Sequence, residues 1–182
     1  MVKILIVNNG TAYLKEIKNS LNSFEYSIID FKDLDFKKTK EFTHIILSGS
    51  KEKIDFNKFK EQIRIINKLN KPILGICFGC QLISKNFKAD IEKMPAYRKG
   101  KLKIKIIKKD KIFKNLKNKI EIYHDHGYNT KNIKKNLIVL AESEDGNEVI
   151  KHKTKKIYGF QFHPEKSKDG LKLIKNFINL FS

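Results

Sequence analysis

A short apolar segment that runs directly into a cysteine constrains the fold of this chain more than any other feature. Ile73–Ile76 follows a proline and has the composition of a buried strand in a parallel sheet. Cys77 comes next, and Leu82, Ile83 and Phe87 then recur at helical spacing. A strand that passes through a nucleophile straight into a helix is a nucleophile elbow, which exposes the side chain at the carboxyl edge of the sheet. The segment therefore predicts an α/β fold with a reactive thiol at that edge.

The neighbours of Cys77 fit this interpretation. Gly75 and Gly79 remove side chains that would crowd the turn and the contact between strand and helix. The amino end of the helix favours a thiolate over a thiol. It also places the backbone N–H of Phe78 where it can stabilise an oxyanion.

Apolar strands alternate with amphipathic helices through the first half of the chain. We expect these strands at residues 2–7, 26–31, 44–47 and 73–76. A helix capped by Thr11 is predicted to run to about Asn22. The next helix has its apolar stripe at Phe59, Ile63, Ile66 and Leu69. This alternation predicts a mostly parallel sheet with helices on both faces.

In the second half of the chain, strands follow one another with short connections. They are predicted at residues 101–107, 120–123, 137–141, 148–151 and 157–162. This succession predicts a mixed or antiparallel extension of the sheet. An amphipathic helix with apolar residues at 171, 174, 177, 178 and 181 closes the chain. No repeat, linker or low-complexity tract interrupts the pattern, so we expect one domain over residues 1–182.

The composition is strongly basic, with a formal net charge of +19. Lysines along the whole chain supply nearly all of it, and no helix-turn-helix, zinc-finger or RNA-recognition motif accompanies them. A solvated surface is therefore favoured over nucleic-acid binding, although an acidic partner or an anionic substrate would also suit the charge. No apolar run reaches the roughly 20 residues of a membrane span, and the start is too short for a signal peptide. We expect a cytoplasmic protein.

A second motif, Gly159-Phe160-Gln161-Phe162-His163-Pro164-Glu165, lies near the C-terminus. A predicted strand delivers His163 into a turn fixed by the proline. A thiol nucleophile needs a base that takes its proton and later protonates the leaving amine, and a carboxylate can orient that base. A lone histidine beside a strand is usually structural. In combination with the elbow cysteine, the motif predicts Cys77, His163 and Glu165 as catalytic residues.

These two motifs resemble those of the class I (triad-type) glutamine amidotransferases, and the resemblance covers nearly the whole chain. G-I-C-F-G-C-Q is similar to the family's G-x-C-x-G-x-Q, and Q-F-H-P-E is similar to its F-H-P-E, in the same order. The resemblance implies a flavodoxin-like three-layer fold. It also implies hydrolysis of the glutamine side-chain amide through a γ-glutamyl thioester on Cys77, with ammonia passed to a synthetase. We expect no cofactor.

The segment Leu47-Ser48-Gly49-Ser50 resembles the family's S-G-G-P or S-N-G-P loop, which supplies an oxyanion amide. The resemblance implies Gly49 and Ser50 as oxyanion donors beside Phe78. Here Ser50 replaces the second glycine and Lys51 replaces the proline. A glycine-type backbone conformation at Ser50 would cost strain. Because of this departure, the sequence does not define the basal activity. A regulatory paralogue with impaired catalysis is therefore an alternative interpretation.

The segment Asp125-His126-Gly127-Tyr128 resembles a family loop that is N-H-G-F or S-H-G-D in other members. Backbone groups of that loop bind the α-amino and carboxylate groups of glutamine. The resemblance therefore implies Gly127 and Tyr128 as substrate contacts, and Gln81 as a side-chain contact. His124 and His126 are equally compatible with loop histidines that have no catalytic role.

Cys77 and Cys80 are the only cysteines and form a C-x-x-C motif. A thioredoxin-type pair usually has a proline between the cysteines and would leave the His163 motif unexplained. A zinc site is disfavoured because no second Cys/His pair stands at ligand spacing, so no metal is expected. A reversible Cys77–Cys80 disulfide that inactivates the enzyme stays an alternative, because the two residues are three apart on a helix.

The ammonia acceptor is less well defined by the sequence. Residues 151–165 resemble the separate glutaminase subunit of archaeal GMP synthetases, whereas Tyr128 and the segment after His163 resemble the histidine-pathway glutaminase equally well. We favour the former group. With 182 residues there is no room for an ATP-dependent synthetase domain, so we expect the partner to be a separate synthetase subunit. The alternative is a hydrolase of γ-glutamyl compounds that needs no synthetase.

Overall fold

A large mixed sheet forms the centre of the molecule. The computed structural model describes residues 1–51 and 55–182. In these ranges the strands are Lys3–Asn8 (β1), Glu25–Asp30 (β2), His44–Leu47 (β3), Ile73–Ile76 (β4), Asp90–Ile106 (β5), Lys119–Lys131 (β6), Leu137–Ser143 (β7), Gly146–His152 (β8) and Ile157–Phe160 (β9). They join in the order β2-β1-β3-β4-β9-β8-β7-β5-β6.

One half of this sheet is parallel. β1 pairs in parallel with both β2 and β3, β3 with β4, and β4 with β9. Residues 4–7 of β1 are fully buried, which is why this strand is continuously apolar and does not alternate. The predicted bounds of β3 and β4 match the structure. The other half, from β9 through β8, β7, β5 and β6, is antiparallel. The predicted α/β fold with an antiparallel extension is therefore confirmed.

Helices cover both faces of the sheet. The α-helices of the described ranges are Leu14–Ser20 (α1), Lys60–Lys68 (α2), Phe78–Asn86 (α3) and Lys168–Leu180 (α4). Side chains of α1 and α4 pack with the sheet in one buried cluster, and those of α2 and α3 pack in the other. Among the residues that the structure describes, no helix is long and apolar enough to cross a membrane.

The first helix is shorter than predicted, and Thr11 does not cap it. The Thr11 hydroxyl accepts the N–H of Tyr13 at 3.2 Å in the loop that precedes the helix. Asn8 Oδ1 accepts the N–H groups of Gly10 and Thr11, which folds this loop into a turn of its own. Because the local turn uses these polar groups, the helix begins three residues after Thr11.

Strands β5 and β6 are much longer than predicted. β5 begins at Asp90 and β6 continues to Lys131, so residues 125–128 lie inside a strand and not in a loop. Arg98 pairs with His126, and Lys93 pairs with Tyr128, with an irregularity in register between these two pairs. The prediction of a loop was wrong because charged residues on the exposed face concealed the strand.

The buried face of β6 explains this error further. Ile120, Ile122, His124 and His126 are all buried and are spaced two residues apart, as a half-buried strand requires. Two of the four are histidines, which a search for apolar residues counts as polar. The alternation therefore continues in the structure beyond the point where the hydrophobicity pattern ends.

Two glycines permit the close contact between β4, α3 and the neighbouring strand β3. A Cβ added to Gly75 would lie 2.5 Å from the backbone carbonyl of Gly79, and one added to Gly79 would lie 2.3 Å from the carbonyl oxygen of Leu47. Real Cβ atoms do not approach so closely, and backbone atoms cannot move aside without shifting a whole element. The glycines predicted to relieve crowding at the elbow are thus required by packing.

We expect Gly79→Ala to lower the free energy of unfolding by about 2–3 kcal/mol, because the new methyl group would overlap the Leu47 carbonyl. Urea denaturation followed by circular dichroism measures this change. Lys85→Ala, on the exposed side of the same helix, is the matched control and should stay within about 0.5 kcal/mol of the parent protein. Equal stability of the two variants would contradict the packing role of Gly79.

Candidate functional site

Cys77 has an unusual backbone conformation between β4 and α3. Its φ is +50° and its ψ is −102°, in a region that side chains rarely occupy. Its N–H donates to the carbonyl of Phe160 on β9 at 2.7 Å, which fixes the turn to the neighbouring strand. A strained residue of this kind costs on the order of 1–3 kcal/mol and occurs most often at functional sites. The conformation places the thiol at the carboxyl edge of the sheet, as predicted for a nucleophile elbow.

His163 lies three residues beyond the end of β9, opposite Cys77. Its backbone N–H donates to the carbonyl of Tyr123 at 2.8 Å, and its Nδ1 lies 2.8 Å from Oε1 of Glu165. Burial disfavours the imidazolium. The charge and the hydrogen bond of Cys77, followed by those of Glu165, outweigh burial and raise the pKa of His163 to about 10. The three side chains therefore favour the imidazolium form of His163, which the buried Glu165 carboxylate orients.

The loop after β3 brings Gly49 against both reactive groups. A Cβ added to Gly49 would lie 3.0 Å from Cε1 of His163 and 3.6 Å from Cβ of Cys77. Asn9 holds this loop, because its backbone N–H donates to the Ser48 hydroxyl and its side-chain amide donates to the Ser48 carbonyl, both at 2.9 Å. The loop is thus fixed to the end of β1, and the absence of a side chain at Gly49 lets its backbone approach the thiol.

Ser50 does not adopt the glycine-type conformation that its replacement of a family glycine suggested. In the described residues, the non-glycine positions with positive φ are Cys77, Lys88, Asn115 and Asn132. Ser50 is not among them, so its side chain imposes no left-handed strain on the loop. The expected cost at this position is therefore not found.

A cavity of about 510 Å³ opens above the thiol. Seven of the nine residues predicted for the site line it: Ser50, Cys77, Phe78, Gln81, Gly127, Tyr128 and His163. Gly49 and Glu165 contact the reactive side chains from behind this lining. Phe78 is the first residue of α3, so its N–H has no acceptor within the helix. The structure brings all of the predicted residues to one place.

Gln81 reaches from α3 towards β6. Its side-chain amide donates to the carbonyl of Tyr128 at 3.3 Å and to Oε1 of Gln161 at 3.4 Å. Tyr128 lies at the mouth of the cavity and is 38% exposed, whereas Gln81 is buried. A Cβ added to Gly127 would lie 3.1 Å from the ring of Tyr97, so a larger residue there would displace that ring. Gln81 thus holds the segment of β6 that borders the cavity.

The cavity also contains residues to which sequence analysis gave no role. The hydroxyl groups of Tyr13 and Tyr97 donate to the Asp125 carboxylate at 2.5 Å and 2.9 Å. Burial opposes the charge of Asp125, but the two hydroxyl donors outweigh burial and lower its pKa. Tyr13 also packs edge-on against His163, with 4.7 Å between ring centroids. Tyr13 could have been found from the sequence, because it lies in the loop after β1 and such loops converge on the site at the carboxyl edge of a parallel sheet. No sequence signal indicated Tyr97.

Cys80 is separated from this chemistry. It does not line the cavity, it is buried on the β9 side of α3, and a Cβ added to Gly159 would lie 2.8 Å from its sulfur. Burial raises the pKa of its thiol. Both cysteines are free thiols in the structure. Within the described ranges, no group of three or more His, Cys, Asp and Glu side chains is arranged to hold a metal ion.

We expect Cys77→Gly to be more stable than Cys77→Ala by about 1 kcal/mol, because glycine adopts positive φ without strain. The free energies of unfolding in urea provide the comparison. The same pair of substitutions at Lys85 in α3 should give the opposite order by about 1 kcal/mol, since glycine is a poor helix former. If glycine is the less stable choice at both positions, Cys77 is not strained.

Comparison with known proteins assigns the family. Residues 5–180 match the family model described as glutamine amidotransferase class-I. A subunit of the glutamine-hydrolyzing GMP synthase of Methanococcus vannielii is 37% identical over 96% of this chain and 94% of its own length. The corresponding protein from Methanocaldococcus jannaschii is 34% identical over 96% and 95%. A crystal structure assigned to a GMP synthase subunit of Thermoplasma acidophilum superposes with a TM-score of 0.92 at 29% identity, over 99% of this chain and 94% of that chain. The chain therefore belongs to the class-I glutamine amidotransferase family.

Proposed function

We propose that this protein hydrolyses the side-chain amide of glutamine, with Cys77 as nucleophile, His163 as acid and base, and Glu165 as the residue that orients the imidazole. The observation that carries the proposal is the strained Cys77 in the wall of a cavity that His163 also lines, with the imidazole of His163 2.8 Å from a buried carboxylate. A nucleophile, a base and an orienting acid in hydrogen-bonding sequence form the arrangement that acyl transfer requires.

The first half of the reaction forms a thioester. The Cys77 sulfur attacks the side-chain carbonyl carbon of glutamine, a C–S bond forms, and the carbonyl oxygen takes up negative charge. The N–H of Phe78 and an N–H of the Gly49–Ser50 loop stabilise this oxyanion. The His163 imidazolium gives its proton to the amide nitrogen, the C–N bond breaks, and ammonia leaves.

The second half restores the enzyme. His163, now neutral, takes a proton from water while the water oxygen attacks the thioester carbon. The C–S bond then breaks, glutamate leaves, and the thiolate is again paired with the imidazolium. Glu165 accepts the hydrogen bond of Nδ1 of His163, so that the other ring nitrogen faces the sulfur.

The charges around the cavity suit the two ends of an amino acid. Asp125 is ionised between its two tyrosine donors and can accept the α-ammonium group. Lys51 and Lys93 also line the cavity and can attract the α-carboxylate. Gly127 and Tyr128 line the same cavity as these charges and the thiol, which supports their role as substrate contacts.

The acceptor of the ammonia is inferred from the relatives. Two proteins that match this chain nearly end to end are named as subunits of glutamine-hydrolyzing GMP synthases. We propose that this protein likewise supplies ammonia to a separate synthetase subunit that uses ATP in the formation of GMP. The match to stand-alone subunits favours this acceptor over that of the histidine pathway.

A glutamine-like chloroketone tests the nucleophile. We expect it to alkylate Cys77 once per chain with loss of chloride, as seen by peptide mass spectrometry. Cys77→Ala should abolish the labelling, whereas Cys80→Ala should retain it, since Cys80 lies outside the cavity. Modification of Cys80 in place of Cys77, or no modification with the folded protein, would refute the proposal.

Coupled synthesis tests the partner. A GMP synthetase subunit that accepts free ammonium should form GMP with glutamine as the nitrogen source when this chain is added. Cys77→Ala should support no glutamine-dependent GMP formation but should leave the ammonium-dependent reaction unchanged. If Cys77 is labelled by the chloroketone and this transfer nevertheless fails with archaeal synthetase subunits, the acceptor is wrong and the glutaminase assignment still holds.

A further inference from the structure

A chain of buried polar side chains leads from β8 through β6 to the cavity. Nδ1 of His124 lies 2.9 Å from Nε2 of His126, and Nδ1 of His126 lies 3.0 Å from the carbonyl oxygen of Tyr128. Behind them, Nε2 of His124 lies 4.0 Å from Oε2 of Glu148, and both of these side chains are completely buried. The proposed reaction uses none of these three side chains.

The carbonyl at one end of this chain fixes the protons. A carbonyl oxygen only accepts hydrogen bonds, so Nδ1 of His126 carries a proton. Burial holds the pKa of His124 at about 3 and that of His126 at about 4, so each ring is neutral and has one proton. Nε2 of His126 is therefore an acceptor, Nδ1 of His124 must donate to it, and Nε2 of His124 is left with a bare lone pair.

Glu148 is the group that faces this lone pair. Its Oε1 accepts from the Ser143 hydroxyl at 2.6 Å, while its Oε2 and Nε2 of His124 are both buried without a hydrogen-bond partner. Two lone pairs would repel each other, whereas a protonated Oε2 would donate to Nε2 after an approach of about 1 Å. Burial raises the pKa of Glu148 to about 8, which agrees with the protonated form at neutral pH.

Several other polar groups surround this chain. Asp145 at the β7–β8 turn raises the pKa of Glu148, and Arg98 on β5 lowers it, but these two ions also bind each other through two hydrogen bonds of 2.5 Å and 2.6 Å. On the α3 side, the titratable group near Glu148 is the thiol of Cys80, and a charge on Glu148 raises the pKa of this thiol. Asp145 and Arg98 act in opposite directions, and burial is the largest influence on the state of Glu148.

Two charged groups of the site act on the histidines. Both lie at the cavity end of the chain. The His163 imidazolium disfavours charge on both rings, and Asp125 favours it on His126. Neither outweighs burial, which keeps both rings neutral.

We propose that Glu148, His124 and His126 form a relay in which each proton has a fixed position. While Glu148 is protonated, the relay holds the Tyr128 carbonyl in place and thereby positions the glutamine-binding segment of β6. These three are positioning residues, because they act through their contacts with each other and with the Tyr128 carbonyl. The assignment of a substrate to this segment rests on the proposed function. The relay itself rests on the buried contacts among these side chains and does not depend on that assignment.

Loss of the Glu148 proton reverses the relay. The carboxylate then requires a donor, so the proton of His124 moves from Nδ1 to Nε2. Nδ1 of His124 becomes an acceptor, Nε2 of His126 must carry the proton, and Nδ1 of His126 presents a lone pair to the Tyr128 carbonyl. Three protons become two, with one released to solvent. The contact that held Tyr128 is now repulsive, so we expect glutamine binding to weaken as the pH rises through about 8.

Imidazole nitrogen NMR measures the relay without any catalytic readout. In the full-length protein with ¹⁵N-labelled histidine, His124 and His126 should both be protonated at Nδ1 at pH 7 and at Nε2 at pH 9.5. In Glu148→Gln the amide donates permanently to His124, so both rings should keep the Nδ1 proton over the whole range. A His126 ring protonated at Nε2 at pH 7, or rings that do not change in the parent protein, would overturn the proposal.

Steady-state glutaminase kinetics measure the functional consequence. Between pH 7 and pH 9 we expect KM for glutamine to rise about tenfold more in the parent protein than in Glu148→Gln, with a much smaller difference in kcat, since a lost contact of about one hydrogen bond has this size. Titration of glutamine itself affects both proteins alike. Equal pH profiles of KM in the parent protein and in Glu148→Gln would show that the relay has no role in substrate binding. If Cys77 is unreactive and no glutaminase is found, the proposed function fails, but the tautomers measured by NMR still decide the relay.

Discussion

The site depends on one close packing arrangement, in which two glycines let a strand, a helix and a neighbouring strand approach each other closely. Gly79 abuts the Leu47 carbonyl, Gly75 abuts Gly79, and the N–H of Cys77 is taken by Phe160. Because the space is so small, the chain can leave β4 and enter α3 only by a sharp turn. Cys77 makes this turn with a positive φ. Packing thus stabilises the strain that exposes the thiol, and the free energy comes from the core and not from the site.

Histidines in one small region have opposite protonation because their partners differ. His163 has Cys77 on one side and the Glu165 carboxylate on the other, and these two groups raise its pKa to about 10, so it holds its proton well above neutral pH. His124 and His126 are comparably buried, but they contact each other and the Tyr128 carbonyl, and burial is the largest influence on their pKa values and lowers both. A cationic acid and a pair of neutral donors can therefore coexist in one site. The first suits proton transfer, and the second suits the positioning of backbone.

The accuracy of sequence analysis differed between the two halves of the sheet for a physical reason. Strands such as Ile73–Ile76 are covered on both faces, so burial demands an apolar run that stands out in the sequence. β5 and β6 have one face in solvent, and the buried face of β6 contains two histidines in place of apolar residues. The pattern there predicted a strand only over residues 120–123, and residues 125–128 were expected to form a loop from their resemblance to a family loop. Long-range pairing with β5 decided the strand, and no local signal shows that pairing.

The sequence by itself determined the elbow at Cys77, because a strand, a cysteine between glycines and a helix leave one geometry for the thiol, and it marked His-Pro-Glu as the segment proposed to face that thiol. Tertiary structure alone decided what surrounds these two segments. Tyr13 and Tyr97 meet Asp125 from positions 112 and 28 residues away. Contacts over such separations depend on how the sheet closes around the cavity, and the residue types of one segment do not contain that information. An elbow can be recognised from its local sequence, whereas the side chains that line the cavity above it are brought together only by the fold.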